Sequence, residues 1–209
     1  MNNDCTLFYV HDPMCSWCYG YKPVLNTILK QLNNKIEVKF LLGGLAADTE
    51  ILMPLNMQTK IKSNWRNIEE TIPGTTFNYD FWTKCSPKRS TYPACRAVIA
   101  AGKQHIKHQS LMINAIQYAY YLNAQNPSNY DVLYDIAEKI NLNKSEFEND
   151  IHSENTNEQL HQQIALSQSI GANSFPSIFL LHKEQYHQIV LDYTNAAITL
   201  GHIESHLRS

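Results

Sequence analysis

Two cysteines separated by two residues, Cys15 and Cys18 in the string Asp12-Pro13-Met14-Cys15-Ser16-Trp17-Cys18-Tyr19-Gly20, are the side chains of this chain best suited to chemistry. At that spacing one thiolate attacks a disulfide sulfur, and the other is near enough to attack the mixed disulfide that results. The substrate leaves reduced and the pair leaves oxidised. The other three cysteines, Cys5, Cys85 and Cys95, form no second C-x-x-C. A structural zinc site needs four ligands, and Cys85, Cys95 and the nine histidines supply no second close pair. Metal is therefore not expected, and neither is a cofactor beyond the Cys15–Cys18 disulfide itself.

The flanking elements would position this pair. Cys5-Thr6-Leu7-Phe8-Tyr9-Val10 reads as a strand, and Val24, Leu25, Ile28, Leu29 and Leu32 repeat with helical period. Cys15 would thus stand at a helix N-terminus, facing unpaired backbone N–H groups and the positive end of the macrodipole. Both favour thiolate over thiol. Pro23, inside the helix, removes one backbone hydrogen bond and is expected to kink it. Ile36 to Leu42 forms a second strand ending at Gly43-Gly44, which completes a βαβ unit with a parallel strand pair.

Beyond Ala46 the character changes. Residues 48–90 show no clear period and are broken at Pro54, Pro73-Gly74 and Pro87. Helices follow over Pro93 to Gly102, around Met112, Ala115, Ile116 and Ala119, and around Val132, Leu133, Ile136, Ala137 and Ile140. Ser145 to Glu148 carries a capping-box pattern for one more. A helix over 156–170 should stop at Gly171, followed by Phe175-Pro176, a strand from Ser177 to Leu181, and a turn at Lys183-Glu184. A strand from Tyr186 to Leu191 and a helix through Ala196, Leu200, Ile203 and Leu207, capped by Thr194 or Asn195, close the chain. Without its middle the element order is that of a thioredoxin fold. The expected architecture is α/β, with residues 1–45 and 155–209 forming a discontinuous thioredoxin-like domain and 46–154 a large helical insertion.

Charge and hydropathy narrow the partners. Seventeen Lys and Arg stand against 19 acids, for a net charge of -2, so electrostatics gives no case for nucleic acid. No apolar run approaches the ~18 residues that span a bilayer. Met1-Asn2-Asn3-Asp4 lacks a basic leader region, so a cytoplasmic setting is expected. There, thiols are kept reduced and cysteines are more often catalytic or metal-binding than structural.

The motif string, Pro93-Ala94-Cys95-Arg96-Ala97-Val98, and Phe175-Pro176 before a late strand together resemble the DsbA family. More narrowly they resemble its cytoplasmic, FrnE-like branch of protein-disulfide isomerases. The resemblance implies that Cys15 is the nucleophile, Cys18 the buried resolving thiol, and Pro176 a cis-proline presenting the Phe175 backbone to an extended substrate. It implies protein or small-molecule thiols and disulfides as partners, with glutathione as a co-substrate and a reductant that recycles the dithiol. The Ser16-Trp17 dipeptide has no histidine, unlike strongly oxidising secreted relatives, so weaker thiolate stabilisation and net reduction or isomerisation are expected. The alternative is a glutathione-dependent enzyme of the kappa-class transferase or 2-hydroxychromene-2-carboxylate isomerase type. Those families typically carry serine where this chain has Cys15. A non-catalytic scaffold is the third reading, and the intact cysteine pair counts against it.

Several side chains keep two readings. Cys95 is either a third reactive thiol or a small hydrophobe on a helix face, and a Cys85–Cys95 disulfide is a further option. His11 either tunes Cys15 electrostatically or sits on the surface. Arg96 either holds an anionic substrate group, such as a glutathione carboxylate, or is a solvated helix arginine. Trp17 and Tyr19 either contact substrate or pack against the helical block. Cys5 should be buried in the first strand and inert.

Overall fold

The computed structural model describes residues 5–33 and 35–208. Met1 to Asp4, on which the expected compartment rests, lie outside them. In chain order the elements are β1 (Cys5–His11), α1 (Ser16–Leu32), β2 (Glu37–Leu42), α2 (Leu55–Thr71), α3 (Phe81–Lys84), α4 (Tyr92–Gln104), α5 (Lys107–Tyr121), α6 (Tyr130–Lys139), α7 (Lys144–His152), α8 (Glu154–Ser169), β3 (Ser177–His182), β4 (Gln185–Ile189) and α9 (Ala196–Arg208). The sheet runs β2-β1-β3-β4. β1 pairs parallel with β2 and antiparallel with β3, and β3 pairs antiparallel with β4. Lys183 and Glu184, at φ 50° and 63°, form the two-residue hairpin turn between β3 and β4.

Alternation along β1 divides the packing. Leu7 and Tyr9 face α1 and α9, in a core with Leu25, Ile28, Ile178 and Ile203. Phe8 and Val10 face the other way, meeting Leu41, Phe179, and Ile170 and Ala172 beyond the end of α8. That end is made by Gly171 at φ 92°, with Gly171 N–H on Gln168 O and Ala172 N–H on Ser167 O. This pairing satisfies two otherwise open helix carbonyls. Farther along the chain, α2 to α8 enclose their own core, centred on Trp65, Ile68, Phe81, Met112, Ile116, Tyr121, Leu133 and Phe147. Trp65 stacks on Phe77 at 4.8 Å and meets Tyr120 and Tyr121 edge-on at 5.7 Å.

α1 includes Pro23 and runs to Leu32. One local expectation is corrected. The cap of α7 is Asn143, not Ser145: its side chain accepts from Glu146 N–H at 3.1 Å, and its backbone N–H is taken by Gln104 Oε1 at 2.9 Å. The tertiary partner on α4 fixes the start two residues earlier than the sequence pattern suggests. Asn195, directly before α9, accepts at its Oδ1 from Ala197 N–H at 3.0 Å.

Candidate active site

Cys15 is the N-cap of α1, with φ -83° and ψ 118° and its N–H on Asp12 O at 3.0 Å. The first turn of α1 holds no acidic residue. Cys15 Sγ makes no capping bond to the backbone of its helix; it donates to the carbonyl of Phe175 at 3.3 Å. The Phe175–Pro176 peptide bond is cis. Pro176 itself has no N–H, so the segment beside the thiol offers an acceptor at Phe175 and no competing donor at the next residue. Gly43 lets the Phe175 ring lie there: a Cβ on Gly43 would fall 2.0 Å from Cε1 of that ring.

Cys18 lies one turn in and is 2% exposed. Burial pushes its thiol well above the usual range, and the hydrogen bond and charge of Cys15 push the same way. Tyr9, on the facing strand, shares a hydrogen bond with the Cys18 thiol, and burial likewise keeps its phenol protonated. One thiol at a helix N-cap and one held as SH behind it is the arrangement that attack followed by resolution requires. Among the described residues no two cysteines are joined in a disulfide.

Asp12, quoted in the motif but given no role by the sequence, is completely buried. Its Oδ1 accepts from Met14 N–H at 2.8 Å; its Oδ2 accepts from Leu45 N–H at 2.7 Å, Thr91 Oγ1 at 2.6 Å and Cys95 Sγ at 3.6 Å. Burial raises its pKa, and these bonds oppose the rise. One carboxyl group thereby joins the motif loop, the segment after β2 and the start of α4.

The remaining sequence candidates separate. Ser16 and Trp17 line a cleft of about 180 Å³ at Cys15, together with Leu45, Met53, Trp65, Arg89, Tyr120 and Phe175. Trp17 also meets Tyr193 edge-on at 5.0 Å. Tyr19 stacks on Tyr121 at 4.6 Å and so packs against the helical block. His11 is neither a surface residue nor a cation: it is buried, stacked on Tyr9 at 5.2 Å, with its pKa lowered by burial to about 4. Arg96 is neither solvated nor free for an anion. It is buried, forms two bonds to Asp48 at 2.7 and 2.8 Å, and bonds Tyr130 Oη at 2.7 Å. Cys85 donates to Ala124 O at 3.1 Å rather than bonding Cys95. Cys95 is fully buried, and burial followed by the charge of Asp12 pushes its thiol well up.

Sequence reasoning missed the outer wall of the cleft, formed by Trp65 on α2 and the Lys88–Thr91 segment. Trp65, Lys88 and Arg89 belong to the stretch without a clear period. The adjacent cations Lys88 and Arg89 after Pro87 were its one legible signal. Among the described residues no group of three or more His, Cys, Asp or Glu could hold a metal ion. No described helix is long and apolar enough to cross a membrane.

A family model described as Thioredoxin matches residues 8–199. A protein of Nitrosomonas europaea assigned as a protein disulfide isomerase superposes with TM-score 0.85 at 22% identity, covering 99% of this chain and 98% of that one. The cytosolic disulfide reductase DsbM from Pseudomonas aeruginosa superposes with TM-score 0.75 at 22% identity over 97% and 98% of the two chains. It has also been solved with glutathione. At this identity the superpositions show a shared DsbA-like fold. The ClpXP adapter protein SpxH of Halalkalibacterium halodurans is 22% identical over 170 residues, 79% of this chain and 55% of that protein. That of Bacillus subtilis is 25% identical over 171 residues, 80% of this chain and 55% of that protein. The chain therefore spans about half the length of the curated relatives it matches.

Proposed function

The chain belongs to the thioredoxin family, and from that premise we propose that it is a thiol–disulfide oxidoreductase in which Cys15 attacks and Cys18 resolves. The observation that carries this reading is the Cys15 thiol at the N-cap of α1, 3.3 Å from the carbonyl of Phe175. In the reductive direction the Cys15 thiolate displaces one sulfur of the substrate and a mixed disulfide forms. Cys18, losing its proton, then attacks Cys15 Sγ. The Cys15–Cys18 disulfide forms, the second substrate thiol leaves, and two electrons have passed to the substrate. A thiol reductant such as glutathione restores the pair. An extended substrate would lie along the Phe175-Pro176 segment, and Ser16 and Trp17 would flank the reacting sulfurs. A cytoplasmic setting suits this direction.

A glutathione redox titration with alkylation and intact-mass readout tests the reading. The wild type should lose the mass of two hydrogens reversibly, Cys15→Ser should not, and Cys18→Ser should accumulate mixed disulfides on Cys15. A wild type that shows no such couple sinks it. The SpxH relatives favour a second reading, in which the same fold serves as an adapter for a protease. In that case partner capture would survive Cys15→Ser unchanged.

A further inference from the structure

The cleft at Cys15 carries charge of one sign. Its lining includes two cations, Lys88 and Arg89, and no carboxylate. Lys88 is taken: its Nζ lies 2.9 Å from Oε2 of Glu50, a carboxylate 93% exposed. Arg89 is different. It is half-buried, and among the described residues it has neither a hydrogen bond nor an ion pair. The contrast with Arg96, whose fork is filled by Asp48 and Tyr130, is internal to the same fold. Trp65, behind this wall, is fully buried and its Nε1 finds no acceptor. Thr91 is committed to Asp12 and Ala46.

A guanidinium whose N–H donors are unpaired calls for an acceptor-rich occupant. A guanidinium fork fits a carboxylate through two parallel hydrogen bonds, a match that a hydroxyl or an ammonium does not make. The volume, about 180 Å³, fits a group of one or two residues rather than a folded surface. Resting on the oxidoreductase reading above, we infer that Arg89 is a specificity-determining residue, selecting low-molecular-weight disulfides that carry a carboxylate close to the sulfur. The carboxylate seats on Arg89 while the adjacent sulfur faces Cys15. Attack forms the Cys15–substrate disulfide and expels the other arm as a thiol. Cys18 then closes the Cys15–Cys18 disulfide and releases the seated arm, and an added dithiol reductant resets the protein. Arg89 takes no part in bond exchange; it orients one partner.

Three disulfides of similar size separate charge from reactivity: dithiodipropionate with two carboxylates, bis(2-hydroxyethyl) disulfide with none, and cystamine with two ammonium groups. The pre-reduced full chain is mixed with each, quenched in acid and weighed. Dithiodipropionate should react about tenfold faster than the hydroxyethyl compound, with cystamine slowest. Arg89→Gln should remove that advantage and leave the hydroxyethyl rate within about twofold, whereas Lys88→Gln should keep the order. Equal slowing of all three by Arg89→Gln, or no change in their order, overturns the inference.

A second readout does not depend on disulfide exchange. Alkylation of Cys15 by iodoacetate, divided by that by iodoacetamide, should fall by about three- to tenfold in Arg89→Gln. An unchanged ratio also overturns the inference. If no disulfide is turned over at all while the ratio falls, the oxidoreductase reading fails and the anion subsite stands.

Discussion

Two helices begin within reach of Asp12, and each brings a buried cysteine to its N-terminal end. Cys15 caps α1 and Cys95 lies in the first turn of α4. Neither helix has an acidic residue in its first turn. What faces them differs. Cys15 donates to the Phe175 carbonyl at the rim of a cleft, whereas Cys95 donates to Oδ2 of a buried carboxylate. A helix N-terminus stabilises whichever negative charge reaches it. Beside α4 that charge belongs to Asp12, and with desolvation it pushes the Cys95 thiol up. At α1 the cysteine opens on a cleft instead. On the reading proposed above, proximity to a helix end does not by itself make a thiol the nucleophile; what the thiol faces and whether a substrate can reach it decide as well.

Removing the resident anion is the most severe test of this difference. Asp12→Ala strands the N–H groups of Met14 and Leu45 in the interior and leaves the hydroxyl of Thr91 only its longer bond to Ala46 O. Each buried group left unpaired costs about 1–3 kcal/mol, so a total loss near 3 kcal/mol is expected, allowing for partial relaxation and entry of water. Asp12→Asn retains an acceptor oxygen and should lose roughly half as much. Denaturant midpoints of the two variants measure this. If Asp12→Ala unfolds within about 1 kcal/mol of wild type, the carboxylate is not what joins the two helix starts.

How far each half of this arrangement could be read in advance follows from where its signal lies. The α1 end announces itself locally: a strand, C-x-x-C and an apolar helical stripe occur within 28 residues, from Cys5 to Leu32, and those contacts recur in the fold. The partner segment was legible at Phe175-Pro176 only through the family resemblance, since a proline before a hydrophobic strand can equally just begin it. α2 was not legible. Over 17 residues it buries only Trp65 and Ile68, so it lacks the continuous apolar stripe that marks a helix. Its position comes from aromatic packing on Phe77, Tyr120 and Tyr121, all distant in sequence. The role of Asp12 was hidden for a related reason. Its partners Leu45, Thr91 and Cys95 lie 33 to 83 residues away. Arg96 shows the converse hazard, since a cation in a suggestive string proved to be tied to Asp48.

His11 asks whether a charge other than the helix end serves Cys15. Burial lowers its pKa from 6.5 to about 4, so at neutral pH the ring is uncharged. His11→Phe, which keeps a ring between Tyr9 and Phe40, should leave activity at pH 7 within about twofold. Stability should respond instead. Between pH 6.5 and 4 the unfolded chain takes up a proton at His11 that the folded chain resists, so the wild type weakens as pH falls. By pH 5 this amounts to roughly 2 kcal/mol. Asp12, with its raised pKa, acts in the opposite sense, but it is common to both proteins and cancels in the difference. Denaturation at pH 7.5 and 5.0 should therefore show a shallower acid loss in His11→Phe. A large drop in activity at pH 7 with the acid loss unchanged would make His11 an electrostatic partner of the site.

Cys95 should give the smallest effect, and its smallness is the point. Cys95→Ala removes one sulfur from a fully buried position and should cost about 1 kcal/mol of stability through the space it leaves. Disulfide turnover should stay within about twofold, because burial holds the thiol protonated, it faces Asp12, and it does not line the cleft at Cys15. In native wild type, a limiting amount of iodoacetamide should label Cys15 before Cys95, and Cys95 should react at a comparable rate only after unfolding. If Cys95→Ala slows turnover more than fivefold without loss of stability, or if both thiols label together in the native state, the second helix start is part of the chemistry. The contrast between an occupied and an open helix end would then no longer explain which thiol reacts.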